Sequence, residues 1–132
     1  MREHSRTELS RKLARHTDDP TEITALLDDF EQRGWLSESR FVEQTVHSLA
    51  TRYGMRRIVH KLREKGVSDA SIASVQPYLK QQAQAAAQAV LKRKFAGPPD
   101  TPEARARQVR FLQARGFDYD VIRKVLNWHE ED

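Results

Sequence analysis

Six of the sixteen residues from 51 to 66 are cationic (Arg52, Arg56, Arg57, Lys61, Arg63 and Lys65), and only one acid, Glu64, interrupts them. A second basic stretch, 92–115, carries Arg93, Lys94, Arg107 and Arg110. Guanidinium forks and ammonium groups recognise carboxylates and phosphates, the planar fork being the better match to both. A face that merely solubilises a helix usually mixes signs, and this one does not. The chemistry indicated is recognition of acidic protein surfaces, nucleic-acid phosphates, or both. Bond-making chemistry finds no such support. The histidines (His4, His16, His47, His60, His129) are scattered without metal-ligand spacing, cysteine is absent, and no glycine-rich phosphate loop occurs. Asp28, Asp29 and Glu31 crowd one stretch, but acids on a polar helix face are ordinarily solvated rather than metal-bound. No catalytic, cofactor-binding or metal-ligating set is assigned, and a non-enzymatic role is expected.

The elements that must position these cations are helices. Ile23, Leu26, Leu27 and Phe30 follow the i, i+3, i+4, i+7 spacing, as do Met55, Ile58, Val59 and Leu62. Val42, Val46 and Leu49 form another apolar stripe, and Val121, Ile122, Val125 and Leu126 a fourth; no stretch alternates long enough to argue for a strand. Asp19-Pro20 marks a helix start. Gly34, Gly66 and Gly116 each end a stripe and precede an apolar residue, the pattern of a left-handed C-terminal cap. Ser37, Ser68 and Asp118 stand where the following helices would be capped, and Gly97–Asp100 must be a loop. Eight helices are expected, near 5–16, 20–33, 37–53, 55–65, 69–79, 80–96, 102–115 and 118–129. On the helix at 55–65, the cations then face away from Met55, Ile58, Val59 and Leu62. Arg107 and Arg110 likewise point away from Val109 and Leu112. Phe30, Phe41, Phe111 and Phe117 read as core, and Trp35 as a cap contact. Tyr53 and Trp128, beside charge near helix ends, remain open as base-stacking positions.

The whole chain is polar for a compact globule: 132 residues with 38% hydrophobic, 32% charged and a mean hydropathy of −0.78. That suits an elongated protein whose helices bury narrow stripes. No apolar run long enough to span a membrane occurs, and Met1 leads into charge rather than an export signal, so a cytoplasmic protein is expected. The net charge of +4 hides alternating blocks, acidic over 17–50 and basic over 51–66 and 92–115.

Part of the chain repeats. Leu62, Gly66, Val67, Ile72 and Val75 recur fifty residues later as Leu112, Gly116, Phe117, Ile122 and Val125. A weaker copy lies 49 residues upstream, with Leu9, Leu13, Ile23 and Leu26 matching and Thr17 in the glycine position. The unit is one long helix followed by a tightly turned pair, and such units bury their apolar faces by stacking. The expected array is an incomplete first repeat at 1–36 lacking its first helix, a second at 37–79 and a third at 80–132.

With the repeat in place, the chain resembles the RecX family. The carriers are Gly34-Trp35-Leu36-Ser37-Glu38-Ser39-Arg40-Phe41-Val42, then Tyr53-Gly54-Met55-Arg56-Arg57-Ile58 leading to Leu62 and Lys65-Gly66-Val67, then Phe111-Leu112 with Gly116-Phe117 and Ile122. The opening Ser5-Arg6-Thr7-Glu8-Leu9 with Leu13 is similar to the second helix of that family's first unit, and Met55 replaces a frequent proline. The resemblance implies a regulator, usually an inhibitor, of the RecA recombinase in homologous recombination, DNA repair and the SOS response. It implies a protein lying in the groove of the RecA–DNA filament and restraining ATP hydrolysis, strand exchange and co-protease activity. DNA, single- or double-stranded and read without sequence preference, enters as a further partner. A monomer is expected, because no apolar stripe is left over for a second copy.

Two other readings compete. A general helix-turn-helix DNA-binding module would concentrate base-reading side chains on one recognition helix, whereas here the cations spread over several units. A helical scaffold without any link to DNA would bind neither DNA nor RecA. If the cations form one binding strip, charge reversal at Arg56, Arg57 and Lys61 together abolishes RecA inhibition while circular dichroism stays unchanged; a folded, fully inhibitory triple variant removes the strip as the binding surface.

Overall fold

The computed structural model describes residues 2–126, which form seven helices and no strand. These are α1 (Arg6–Leu13), α2 (Pro20–Gln32), α3 (Glu38–Leu49), α4 (Met55–Glu64), α5 (Asp69–Lys94), α6 (Pro102–Ala114) and α7 (Tyr119–Leu126). Three expected caps form: Asp19 caps α2 ahead of Pro20, and the hydroxyls of Ser37 and Ser68 accept from the first turns of α3 and α5. Ser5 and Glu8 add a capping box on α1. Gly34, Gly66 and Gly116 all adopt positive φ (75°, 77° and 89°). After each, the next amide donates back five residues, from Trp35 to Phe30, Val67 to Leu62 and Phe117 to Leu112.

The helices form tandem three-helix units with three successive cores. Ile23, Leu27 and Leu36 pack with Leu9, Leu13 and Phe30. Phe41, Val42, Val46, Ile58, Val59, Leu62 and Ile72 fill the second core. Leu91, Leu112, Phe117, Ile122 and Val125 fill the third. Trp35 departs from expectation: it makes its cap contact with Phe30, ring centroids 5.8 Å apart, yet is 65% exposed, and Leu36 is the residue that enters the core. Trp128 and the last residues expected in α7 lie outside the described residues.

One correction concerns the junction of the second and third units. Separate helices were expected at 69–79 and 80–96, but α5 runs unbroken for 26 residues through Pro77. Residues 80–91 are almost all strong helix formers, with no glycine or capping residue to stop them. Pro77 removes only the hydrogen bond to the Ala73 carbonyl; both residues are exposed, so water replaces the missing donor. The consequence is architectural. Ile72 and Leu79 of α5 belong to the second core, while Ala83, Ala86, Ala87, Val90 and Leu91 belong to the third. A single strut thus serves two units.

The first unit joins the second differently, through polar contacts. Arg40 donates to Glu3 at 3.0 Å, the Glu3 amide donates to Gln44 at 2.8 Å, and Lys65 pairs with Glu8 at 3.3 Å. Gly66 sits so close to Thr7 that any added Cβ would strike its hydroxyl. Burial alone would push the Glu8 carboxyl up, but hydrogen bonds from Arg2, the Ser5 amide and Lys65 outweigh it and hold the group at about 2. A carboxylate held below its ordinary value of 4.5 contributes stability that is complete above that value and fades as pH falls towards 2. Glu8→Gln is therefore expected to lose on the order of 2 kcal/mol at neutral pH, with the gap to the parent protein shrinking between pH 4.5 and 2 in urea titrations. A gap independent of pH would show that Glu8 matters through packing rather than charge.

Candidate interaction surface at the junction of two units

The helix α4 begins at Gly54, which has no side chain to cap the free amides of the first turn. The cap comes instead from the neighbouring unit. The amides of Gly54 and Arg56 donate to the carbonyls of Arg115 and Gly116, at 2.8 and 3.2 Å. Those carbonyls close α6 and, like those at any helix end, lack intrahelical partners. Each helix end satisfies the other, and the dipoles meet with opposite signs. The approach demands two glycines: a Cβ on Gly54 would collide with the Gly116 backbone, and one on Gly116 with the Arg57 backbone.

Around this contact the chain gathers cations. The Arg57 guanidinium donates to the Ala114 carbonyl at 3.2 Å, and Arg115 donates to the Arg52 carbonyl at 3.3 Å. The half-buried Tyr53 ring lies between them, with the guanidinium carbons of Arg57, Arg52 and Arg115 at 4.4, 5.5 and 5.5 Å from its centroid. Arg115 also lies 5.0 Å from the centre of the Phe111 ring, which meets Phe95 edge-on. Arg93 and Lys94, on the last turn of α5, complete a cleft of about 360 Å³ walled by Arg52, Tyr53, Val90, Phe111 and Arg115. Among the described residues no carboxylate lines it.

The expected site residues therefore separate. Arg52, Arg93 and Lys94 come together in this cleft. Arg56, Arg57 and Arg63 border a second groove, with His60, Gln76 and Gln113. Lys61 and Arg57 edge a third hollow beside Tyr53 and Glu64. Arg107 and Arg110 are exposed on α6 but line none of these. Lys65 is half-buried in its pair with Glu8 and serves the joint between the first two units. Arg57 is partly committed in the same way, so charge reversal there disturbs the joint as well as the surface. The acids once weighed as metal ligands are occupied by arginines: Asp28 and Glu31 by Arg6, and Asp29 by Arg33. Arg115 and Phe111 were missed as site residues. The signal for Arg115 was the repeat itself, since the fifty-residue offset places it on Lys65.

Comparison with known proteins decides the family. The models of the second and third three-helix domains of RecX match residues 37–75 and 81–126. The regulatory protein RecX of Leptothrix cholodnii is 45% identical, over 99% of this chain and 85% of the relative. That of Herbaspirillum seropedicae is 46% identical, over 99% and 86%. The chain belongs to the RecX family. Its fold is that of the RecX crystal structure from Lactobacillus salivarius, with a TM-score of 0.80 at 15% identity over 99% of this chain and 88% of the other.

The two turn glycines separate backbone strain from joint closure. Gly34 has positive φ and open space around its missing Cβ, so Gly34→Ala costs about 1 kcal/mol for the left-handed backbone alone. Gly116→Ala adds the collision with Arg57, roughly 1–3 kcal/mol more. Equal losses of stability in urea denaturation would mean that the junction contributes nothing.

Proposed function

We propose that this RecX-family protein binds the RecA filament formed on single-stranded DNA and restrains its ATP hydrolysis, strand exchange and co-protease activity. The observation that carries the reading is the junction of the second and third units, where Arg52, Arg93, Lys94 and Arg115 line one cleft with no carboxylate among the described residues. Arg56, Lys61 and Arg63 continue the positive charge along the exposed side of α4. A filament groove walled by acidic side chains and phosphates offers partners along its length, and a charged surface fixed across two units spans more than one of them. The role is one of binding rather than catalysis, carried out by a monomer in the cytoplasm. Among the described residues no helix is long and apolar enough to cross a membrane, and no trio of metal-ligating side chains occurs.

Direct action on DNA is the second reading, favoured by a cleft that holds cations and, among the described residues, no acid. The two separate in an assay of RecA ATP hydrolysis on single-stranded DNA, with the protein well below the RecA concentration. Filament-directed regulation predicts a marked fall that extra naked DNA does not relieve. Competition for DNA predicts an effect only when the strand is covered, and relief by excess DNA. The quadruple variant Arg56→Glu, Lys61→Glu, Arg93→Glu and Lys94→Glu leaves Arg57 and Arg115 in the joint, so it is expected to stay folded and lose inhibition. No fall in hydrolysis with folded parent protein would sink the filament reading.

A further inference from the structure

Several arginines elsewhere in the molecule are neutralised. Arg2 pairs with Glu8, Arg6 with Asp28 and Glu31, Arg33 with Asp29, Arg40 with Glu3, and Arg123 with Asp120. The cations of the junction cleft form no such pair among the described residues. Their neighbours are carbonyls and aromatic faces, which orient a guanidinium while leaving its charge intact. Like charges held together this way repel one another, and an entering anion relieves that repulsion.

From this geometry we infer that the cleft is a preformed seat for the phosphodiester backbone of a single nucleic-acid strand, with Tyr53 the residue that organises it. Three features fix the ligand class. Donors converge from three elements, the end of α3 and its turn, the last turn of α5, and the end of α6, so that Arg52, Arg93, Lys94 and Arg115 face one volume of about 360 Å³. That concavity suits a flexible strand that can bend a phosphate into it, as in grooves that track single-stranded backbones; a duplex presents its phosphates on a convex cylinder. Positive charge then continues past the cleft through Arg57 to Lys61 along α4, with Glu64 the one acid beside them among the described residues, so that a strand leaving the cleft meets further cations. Tyr53 acts through the arginines: its ring sits within 5.5 Å of three guanidiniums and fixes their spread.

The inference deepens the filament reading by naming what enters the cleft, yet its test needs no RecA, so either can fail alone. Full-length protein is titrated into labelled oligothymidylate and followed by fluorescence anisotropy at several salt concentrations. Tyr53→Phe keeps the ring and is expected to bind like the parent. Tyr53→Leu removes it and is expected to weaken binding about tenfold, equivalent to roughly 1.4 kcal/mol, with its helical circular dichroism retained. Should Tyr53→Leu fail to fold, the exposed pair Arg93→Gln and Lys94→Gln serves instead: it lies outside the joint, and it is expected to reduce the slope of log affinity against log salt by about two. Arg11→Gln, remote from the cleft on α1, is expected to change nothing. Three results would each overturn the inference: folded Tyr53→Leu and Arg93/Lys94 variants binding as the parent does, a duplex of equal length binding as tightly as the strand, or thymidine monophosphate or oligoglutamate displacing the strand charge for charge.

Discussion

Two glycine backbones, Gly54 and Gly116, meet where the start of α4 touches the end of α6, and much of the molecule's organisation depends on that approach. Helix ends carry unpaired amides and carbonyls that water or side chains must satisfy. Here one unit's excess donors meet the next unit's excess acceptors directly. The contact sets the distance between the units, and through it the separation of Arg52 and Arg57 from Arg115. A side chain at either position would part the backbones and spread the cleft.

The two joints of the array use related pieces in different ways. At the first, Gly66 presses on Thr7 and Lys65 reaches back to Glu8; at the second, Gly116 presses on Arg57 and Arg115 reaches back to Arg52 and Tyr53. The turn glycine of one unit thus rests each time on the first turns of a helix in the unit before. The helix α1 is capped by its own Ser5 and Glu8, whereas α4 borrows its cap from α6. The second joint is further reinforced by α5, which contributes to both adjoining cores. The first rests on ion pairs and hydrogen bonds that salt and acid weaken. The two joints therefore differ in kind, the second being bridged by a helix shared between cores and the first by polar contacts.

The shared helix suits binding. A charged cleft is useful to a polyanion only if its cations are held apart at fixed distances before the ligand arrives, because ordering long side chains afterwards subtracts from affinity. Carbonyls and aromatic rings provide that order at the junction without neutralising charge. Carboxylates do the opposite elsewhere, turning Arg6, Arg33 and Arg40 into struts of the fold.

Much of this was legible in the sequence because it is local. Helical stripes, serine and aspartate caps, left-handed glycines and the fifty-residue repeat all depend on residues within a few turns of one another, and the RecX resemblance followed from their order. Tertiary structure decided what depends on distant chain segments. The break expected near residue 79 did not form: the helix formers that follow Pro77 let α5 continue, and its two halves bury their apolar faces in two different cores. Trp35 lies exposed because Leu36 takes its place against α2. Of the cations, the sequence marked type and density but not which would face an acid: Lys65 met Glu8, fifty-seven residues away, while Arg52 and Arg93 met Arg115 in a cleft without any. A charge becomes a strut or a site according to which segment folds against it, and pairing over that span is set by the packing of whole units.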